Sequence, residues 1–547
     1  MHKISADLIA IMMVCCMLLT GNAQSGTVLH ETDGPAKNIV VIGSSVAAGW
    51  VTSYQKKHDF KNGWAFRLER MLKLSNLLVV NASVPGETTS GVLERLEKDV
   101  LSKNPDYVVI ALSLSNEGIE GGNPEKIYNQ YLANMHTIVE LCKTNGVVPV
   151  IGSCYACDDY NQDQYAYTKK MNLELNAFGV PMINFLGALD DGHGHFPKGC
   201  TYDESHPDNA GHEELFHAIV PGLFNCDTGQ IKGVVLNDDP GQYISISNAG
   251  GENALSFVPE APMHSFAVRF AVKTRSQGEL MNIQCVSGNS FFFVKDGGFQ
   301  YRDINGHCHT INHKVNAADW NVITVSHRYF QHETSIFAGN EMVLHVTEDV
   351  LPLHFNIGAK INEAHFKNLL IYRAALNTDE VKYINSGSLY TASLEAYAPL
   401  SKILEKNKSI GNLAVSSARV KYFPGDVSES ILSLKHSIEQ AVKKEENEPS
   451  FPSRKPVRVE PSILQQYGGK YKIGENDFVE VSCEEGQLYF TDRGRKAKIF
   501  PESDSCFFVK YPAADIKIVF TRIDNSSSLL VQMLVNGNVV MKGEKED

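Results

Sequence analysis

Five residues that lie far apart in the chain carry the groups that nucleophilic catalysis at an acyl carbon requires. They are Ser45, Gly86, Asn116, Asp203 and His206. A serine hydroxyl becomes nucleophilic when a neutral imidazole takes its proton, and a carboxylate holds that imidazole in one tautomer and stabilises its cation. The oxyanion that forms needs preorganised donors, such as backbone N–H groups and a carboxamide. We therefore predict a catalytic triad of Ser45, His206 and Asp203. The N–H groups of Ser45 and Gly86 and the amide of Asn116 form the predicted oxyanion hole.

Predicted β-strands place three of these residues at one edge of a sheet. Four short segments are β-branched and apolar throughout, which is typical of strands in a parallel sheet. These segments are Asn38–Ile42, Leu78–Val80, Tyr107–Leu112 and Val147–Ile151, and the helical segments between and after them are Trp64–Leu74, Gly91–Leu101, Pro124–Asn145 and Gln164–Ala177. The alternation predicts an α/β fold with a doubly wound parallel sheet and a ligand site at the carboxyl ends of its strands. Ser45, Gly86 and Asn116 each follow such an end, and Asp203 and His206 come just before a further helix.

These residues fall in four short blocks, which occur in a fixed order along the chain. The blocks are Gly43-Ser44-Ser45, Gly86 within Asn81–Thr89, Asn116, and Asp203-Glu204-Ser205-His206-Pro207. From Lys37 to Leu223 the chain resembles the SGNH (GDSL-like) hydrolase superfamily in these blocks. The resemblance implies a flavodoxin-like fold and an acyl-enzyme formed on Ser45, with no cofactor and no metal ion.

The first and third blocks depart from the family pattern. Ser44 stands where the family often has Asp, Leu114 stands where a Gly-x-Asn-Asp pattern has Gly, and Glu117 replaces its final Asp. We expect these changes to alter the pocket floor and the choice of substrate while the catalytic roles remain. On the local stretch alone, Ser45 could be a turn serine and Asn116 a loop cap.

The composition and the N-terminus restrict the class of protein further. A chain of 547 residues predicts two to four domains, and a net charge of −13 with no basic face argues against a nucleic-acid partner. Residues 1–24 place an apolar run, Leu8–Leu19, between Lys3 and small residues, which predicts a secretory signal peptide and an exported protein. A signal anchor is the alternative, and lipidation of the Cys15-Cys16 pair is the weaker interpretation. No other segment is long enough for a lasting membrane span.

Two further β-domains are predicted after the α/β domain. Period-2 segments such as HSFAVRFAV and WNVITVSHRYF indicate an antiparallel β-sandwich. The stretch HFKNLLIYRAALNTDEVKYI resembles the end of concanavalin-like or laminin-G-like domains, and the C-terminal segment is similar to small β-barrel modules of secreted serine hydrolases. The predicted organisation is a signal peptide (1–24), the SGNH hydrolase domain (36–228), the β-sandwich (232–392), a helical connector and linker (393–460) and a small β-barrel-like domain (461–547).

Cysteine and histidine clusters admit other chemistry, which we consider secondary. Cys285 with Cys308, and Cys483 with Cys506, are candidate disulfides, whereas Cys154-Tyr-Ala-Cys157 is interpreted as structural rather than redox-active. The segments DDGHGHF (Asp190, Asp191, His193, His195) and HCHTINH (His307, Cys308, His309, His313) each lack a second ligand cluster, so neither predicts a metal site. His212 and His217 are expected to be packing or surface histidines.

The predicted function is that of a secreted serine esterase acting through Ser45, His206 and Asp203. The added sandwich favours a carbohydrate O-acetyl ester as the substrate and suggests polysaccharide contact through that domain. Two alternatives remain open: a lipid or aryl ester hydrolase of lysophospholipase or thioesterase type, and a glycan-binding surface protein with a vestigial esterase domain.

Overall fold

The structure is a computed structural model, and it describes seventeen segments of the chain. They are residues 37–50, 62–73, 77–225, 236, 241–247, 254–285, 287–400, 409–411, 414–416, 420–423, 456–474, 478–484, 486–492, 495–509, 516–522, 528–535 and 538–546. The predicted signal peptide lies outside them.

A five-stranded parallel sheet organises the first domain. Its strands are β1 (Asn38–Gly43), β2 (Leu78–Asn81), β3 (Tyr107–Ala111), β4 (Val148–Gly152) and β5 (Met182–Ile183). Their order is β2-β1-β3-β4-β5, and every neighbouring pair is parallel. This is the flavodoxin-like order, so the predicted fold class is confirmed. Strand β5 was not predicted, because a run of two residues shows no periodicity.

Helices cover the sheet. They are α1 (Ser45–Ala48), α2 (Trp64–Lys73), α3 (Thr89–Asp99), α4 (Pro124–Thr144), α5 (Gln162–Asn176), α6 (Phe185–Ala188) and α7 (Asn209–His217). Side-chain oxygens fix the starts of five of these helices by accepting from backbone N–H groups of the first turn. They belong to Thr88, Asn123, Asn161, Asn184 and Asp208. The two long helices, α4 and α5, were both predicted within two residues at each end.

Two antiparallel sheets form the sandwich. Their strands are β8 (Ile244–Ser247), β9 (Ala254–Phe257), β10 (Phe266–Lys273), β11 (Gly278–Cys285), β12 (Asn289–Lys295), β13 (Gly298–Arg302), β14 (Cys308–Lys314), β15 (Asn321–Arg328), β16 (Glu333–Ala338), β17 (Glu341–Thr347), β18 (Pro352–Ile361), β19 (Glu363–Tyr372), β20 (Leu394–Ala398), β21 (Ser409–Gly411), β22 (Ala414–Ser416) and β23 (Val420–Phe423). One sheet has the order β17-β16-β15-β10-β19-β20-β21-β22, with β8 also paired to β19, and the other has the order β14-β13-β12-β11-β18-β9-β23. Alternate residues of β10, such as Phe266 and Val268, fill the core between the sheets.

The helical connector predicted at 393–460 is wrong over its first part. Strands β20 to β23 occupy that region and extend both sheets of the sandwich beyond the predicted limit of 392. Strand β20 (LEAYA) is buried throughout and pairs with β19. Its apolar residues show no clear alternation, so the local pattern does not separate a strand from a helix, and tertiary pairing decided between the two.

The sandwich and the α/β domain share one hydrophobic core. Tyr372 and Leu394 of the sandwich belong to the same buried cluster as Met135 of α4. The Arg373 guanidinium donates from Nη1 to Glu395 Oε2 at 2.7 Å and from Nε to the carbonyl oxygen of His217, the last residue of α7, at 2.9 Å. Because the Arg373 and Glu395 side chains are 1% and 0% exposed, this ion pair lies inside the contact. A short helix, α8 (Thr378–Asn385), completes the interface.

A closed eight-stranded barrel ends the chain. It consists of β24 (Gly469–Lys472), β25 (Phe478–Glu484), β26 (Gln487–Asp492), β27 (Arg495–Pro501), β28 (Cys506–Val509), β29 (Ile516–Arg522), β30 (Leu529–Val535) and β31 (Asn538–Lys545), preceded by helix α9 (Pro461–Gln466). Apolar residues that alternate along the strands form its core. The barrel-like domain was therefore predicted correctly.

The candidate disulfides are absent from the described residues. Cys285 is buried and Cys308 is exposed, and both are free thiols, as are Cys483 and Cys506. The prediction of these two pairs is wrong, since spacing along two strands does not decide which face each thiol occupies. Within the described segments, no helix combines the length and the apolar character needed to cross a membrane.

Candidate functional site

Ser45 occupies the turn between β1 and α1. Strand β1 ends at Gly43, where a Cβ atom would lie 2.1 Å from the carbonyl oxygen of Ala111 in β3. Only glycine lets the two strand ends approach so closely. Ser44 has extended backbone angles and precedes the helix, and Ser45 is its first residue. The N–H of a first helical residue has no partner within the helix, so the N–H of Ser45 can donate to a bound group.

Asp203 and His206 face each other across a tight hairpin. Strands β6 (Thr201–Asp203) and β7 (His206–Pro207) are antiparallel, and Asp203 pairs with His206 in their register. The Asp203 carboxylate oxygen Oδ1 lies 2.6 Å from His206 Nδ1 and accepts the N–H of Ser205 at 3.0 Å. The carboxylate is therefore held by the hairpin that also carries the imidazole.

The structure brings His206 to Ser45. His206 Nε2 lies 2.9 Å from Ser45 Oγ, and the imidazole is only 7% exposed. With Asp203 accepting at Nδ1, the proton of a neutral imidazole resides there and Nε2 carries the lone pair that faces the hydroxyl. This arrangement can remove the serine proton and return it later to a leaving group.

Strand order places Gly86 and Asn116 on either side of Ser45. Strand β1 lies between β2 and β3, and the register aligns Val41 with Asn81 and Gly43 with Ala111, so the loops that follow the three strands share one edge. Gly86 has φ of +80°, a conformation that favours glycine, and its backbone is exposed.

A local hydrogen-bond pattern orients the Asn116 amide. Asn116 is the third residue of a 3-10 turn, Leu114–Glu117, and its Oδ1 accepts the N–H of Ser113 at 2.8 Å. The Tyr155 hydroxyl lies 3.5 Å from the same oxygen. Because a backbone N–H can bond only to the amide oxygen, the NH2 group of Asn116 is the end that remains to donate to a substrate.

Ser44 and Ser45 differ sharply in their surroundings. The Ser44 side chain is fully buried, and its Oγ has no hydrogen-bond partner among the described residues. Ser45, by contrast, is partly exposed and contacts His206. Of the two adjacent serines, only Ser45 is placed to attack a substrate.

The surroundings of His212, His217 and Cys157 fit structural rather than catalytic roles. His212 is a buried residue of α7, and burial together with the Arg67 cation lowers its pKa to about 3, so the imidazole is neutral near pH 7. His217, at the end of α7, stacks on His264 of the sandwich with ring centroids 3.6 Å apart. Burial raises the pKa of the Cys157 thiol to about 12, so this thiol has little thiolate character.

The two histidine-containing segments, for which no metal site is predicted, hold their histidines through nearby carboxylates. Asp191 Oδ1 accepts the N–H groups of His193 and His195, and Asp303 contacts both His307 and His309. In the part of the chain that the structure describes, no group of three or more His, Cys, Asp or Glu side chains is arranged to hold a metal ion.

Sequence reasoning missed the residues that support the site. Ser113 caps the turn that carries Asn116, and Asp208 caps α7 directly after the His206 hairpin by accepting from Ala210 and Gly211. The sequence did contain a signal for Asp208, since Asp followed by Asn and Ala before an apolar helix is a typical N-cap. It contained no such signal for Ser113, because Asn116 replaces the usual Glu or Gln of a capping box.

Comparison with known proteins adds an independent observation. Residues 41–214 match the sequence model of the GDSL-like Lipase/Acylhydrolase family. The matched region contains Ser45, Gly86, Asn116, Asp203 and His206, and the match supports an ester-bond hydrolase in this part of the chain.

Individual relatives cover only part of the chain. This chain is 33% identical over 116 residues to "Esterase TesA" of Pseudomonas aeruginosa. The aligned region covers 20% of this chain and 51% of that protein. The chain is 25% identical over 122 residues to "Uncharacterized lipoprotein YqeF" of Bacillus subtilis, which is 22% of this chain and 48% of that protein. The chain thus spans about half the length of these curated relatives. A crystal structure of a catalytic variant of Axe2, an acetylxylan esterase from Geobacillus stearothermophilus, shows 17% identity and a TM-score of 0.29, covering 35% of this chain and 95% of that one.

Proposed function

We propose that the protein is an exported serine esterase in which Ser45 attacks an ester carbonyl. His206 Nε2 takes the hydroxyl proton as the C–O bond forms, and Asp203 stabilises the resulting imidazolium. The N–H groups of Ser45 and Gly86 and the NH2 group of Asn116 stabilise the oxyanion. His206 then protonates the departing alcohol, and water, activated by the same imidazole, hydrolyses the acyl-enzyme and frees Ser45.

One observation carries this proposal: the continuous contact from Asp203 through His206 to Ser45. The distances of 2.6 Å and 2.9 Å join three side chains that come from two distant parts of the chain. A serine that merely closes a turn needs neither a nearly buried imidazole nor a carboxylate behind it. The family match and the relative named an esterase support the same chemistry, and the relative named a lipoprotein supports export.

We propose a carbohydrate O-acetyl ester as the substrate. The sandwich, which packs on the α/β domain through a shared core, offers a second surface that a long substrate can contact. Tyr202 precedes Asp203 on β6 and is 42% exposed. We propose that this exposed aromatic ring stacks against a sugar ring of the substrate.

The test compares the full chain with its Ser45→Ala variant on a chromogenic acetate and on acetylated polysaccharides, with acetate release as the measurement. We expect the variant to lose at least about 10³-fold in kcat, as removal of a nucleophile does in other serine hydrolases. Equal turnover by the two proteins would refute the serine mechanism. Inactivity of both, with retention of polysaccharide, would favour a binding protein instead.

A panel of esters, rather than the Ser45→Ala variant, decides the substrate class. We compare kcat/KM for esters that carry acyl chains of two to sixteen carbons on aryl, lysophospholipid and sugar alcohols. Preference for acetylated sugars supports the proposal, and a rise in kcat/KM with chain length would assign a lipid ester or a thioester instead.

A further inference from the structure

The loops that carry Gly86 and Asn116 are joined by a short hydrogen bond. Glu117 Oε1 accepts the backbone N–H of Thr89 at 2.6 Å. Glu117 directly follows Asn116 in the same 3-10 turn, and Thr89 begins helix α3 three residues after Gly86. We propose that Glu117 is a positioning residue, which fixes the distance between the Gly86 N–H and the Asn116 amide in the oxyanion hole. This inference rests on the proposed function.

The contact has the features of a strong hydrogen bond. The N–H groups at the start of a helix lack partners within the helix, and the helix dipole favours a negative charge there. A carboxylate that accepts such an N–H makes a charge-assisted bond, which is shorter and stronger than a neutral one. Thr89 is fully buried and Glu117 is partly buried, so the bond is partly shielded from water. The bond links the two loops directly.

Each loop is also fixed on its own side of this link. Asn116 is bound to Ser113, so the 3-10 turn that contains Glu117 moves as a unit. Arg95 of α3 donates to the carbonyl oxygen of Ala82 at 2.8 Å and pairs with Glu87 at 2.5 Å. The segment that contains Gly86 is thereby attached to α3, and Glu117 attaches the start of α3 to the turn that contains Asn116.

A catalytic consequence follows from the geometry of oxyanion stabilisation. Donors help only when they lie about 2.7–3.1 Å from the developing oxyanion, and removal of one such donor costs about 10²–10³ in kcat. Loosening the link allows Gly86 and Asn116 to drift apart without removing either. The expected loss is therefore smaller than the loss of a donor, and it falls on kcat because substrate binding does not require these two donors to be aligned.

The experiment measures kcat and KM for Glu117→Ala and Glu117→Asp with a chromogenic acetate. Glu117→Asp keeps the charge and shortens the side chain by one methylene, and it serves if the alanine variant fails to fold. The matched control is Asn123→Ala, which removes a side-chain oxygen that accepts from Lys126 at the start of α4. Each variant is also combined with Asn116→Ala, and thermal unfolding is recorded for all.

We expect about a 10-fold to 100-fold loss of kcat for Glu117→Ala, at least a fivefold loss for Glu117→Asp, and KM within about twofold of wild type in both. The control should retain its kcat. Adding Glu117→Ala to Asn116→Ala should cost several-fold less than it costs alone, because one of the two positioned donors is already missing.

Three results obtained with the Glu117 variants would overturn the inference. They are a kcat within threefold of wild type in both Glu117 variants, a full additive loss in the double variant, or a change confined to KM. A loss of kcat in the control equal to that of Glu117→Ala would likewise assign the effect to general loosening of helix starts. If instead Ser45→Ala retained activity in the same assay, the proposed function itself would fail, and this outcome is separate from the others.

Discussion

A buried carboxyl group between the α/β domain and the sandwich predicts an unusual dependence of stability on pH. Glu380 lies on α8, where Oε1 accepts from the Asn184 amide at 3.0 Å and from the Tyr390 hydroxyl at 2.8 Å, and Oε2 accepts the N–H of Asn377 at 2.8 Å. Burial raises the pKa of Glu380 from 4.5 to about 7, against the opposing effect of these hydrogen bonds. The perturbation that tests this is Glu380→Gln.

The direction of this change in stability with pH follows from proton binding by Glu380 in the folded and the unfolded protein. Between pH 4.5 and 7 the folded protein keeps a proton on Glu380 that the unfolded chain has lost, so stability falls as the pH rises through this window. A difference of about 2.5 pKa units corresponds to about 3 kcal/mol in total, of which about 2–3 kcal/mol is lost between pH 5 and pH 8. This is opposite to the usual behaviour of a carboxylate that gains a cationic partner.

Glutamine removes the titration while it keeps the size of the side chain. Its amide oxygen can still accept from Asn184 and Tyr390, whereas its NH2 group would face the N–H of Asn377 and lose that bond. The lost bond costs about 1 kcal/mol at every pH. The variant should therefore be less stable than wild type at pH 5 and more stable, or nearly equal, at pH 8.

Equilibrium unfolding in urea at pH 5, 6, 7 and 8 provides the measurement, with the exposed Glu140→Gln as the control. Other buried carboxyl groups contribute equally to wild type and variant, so the comparison isolates Glu380. We expect the stability difference between the two proteins to change by about 2–3 kcal/mol across this range. Parallel stability curves for wild type and Glu380→Gln would refute the argument and would mean that this carboxyl group titrates normally.

Three further predictions concern the site. Ser44→Ala should raise stability by about 1 kcal/mol in urea unfolding and keep kcat within a few-fold, because it removes a buried hydroxyl that has no partner among the described residues. A loss of activity like that of Ser45→Ala would contradict this prediction. Gly86→Ala should lower the free energy of unfolding by about 1–2 kcal/mol and lower kcat about tenfold, because φ of +80° strains an alanine and shifts the N–H donor. An unchanged kcat would show that this N–H does not contact the oxyanion. Activity should be insensitive to dithiothreitol and to oxidised glutathione, because the pKa of the buried Cys157 thiol is about 12. A reversible effect of either reagent would instead support a redox role for Cys154 and Cys157.

Local patterns predicted the first domain well because its strands, apart from the exposed strand β2, are buried on both faces. A run such as YVVIA at Tyr107–Ala111 has no polar residue that could face water, so both its length and its neighbours point to a central parallel strand. The same rule failed from Leu394 onwards, where the buried strand β20 shows no clear alternation of apolar and polar residues. The decisive information there is the pairing of β20 with β19, which lies in tertiary structure rather than in the local sequence.

The site was predictable where chemistry dictates residue types and unpredictable where geometry alone matters. Ser45, His206 and Asp203 could be chosen because few residue types activate a hydroxyl. The role of Glu117 could not be predicted, because an acid after Asn116 is compatible with any exposed turn, and only its contact with the start of α3 distinguishes it.

The sandwich is joined to the candidate catalytic hairpin through a series of hydrogen bonds. Gln331, in the turn after β15, donates to the carbonyl oxygen of Asp190 at 2.8 Å, and the carboxylate of Asp190 accepts the N–H of Gly194 at 3.0 Å. The carbonyl oxygen of Gly194 in turn accepts the N–H of Cys157 at 2.9 Å. The Cys157 thiol then donates to the carbonyl oxygen of Glu204, at 3.3 Å.

Glu204 lies inside the turn that joins Asp203 to His206. The position of this turn sets the distance from His206 to Ser45, so the sandwich supports the hairpin as well as adding a surface. The shared hydrophobic core and the hydrogen bond from Arg373 to the carbonyl oxygen of His217 tie the sandwich to the α/β domain, which argues against a tethered module. We therefore expect the geometry of the candidate triad to depend on both the α/β domain and the sandwich.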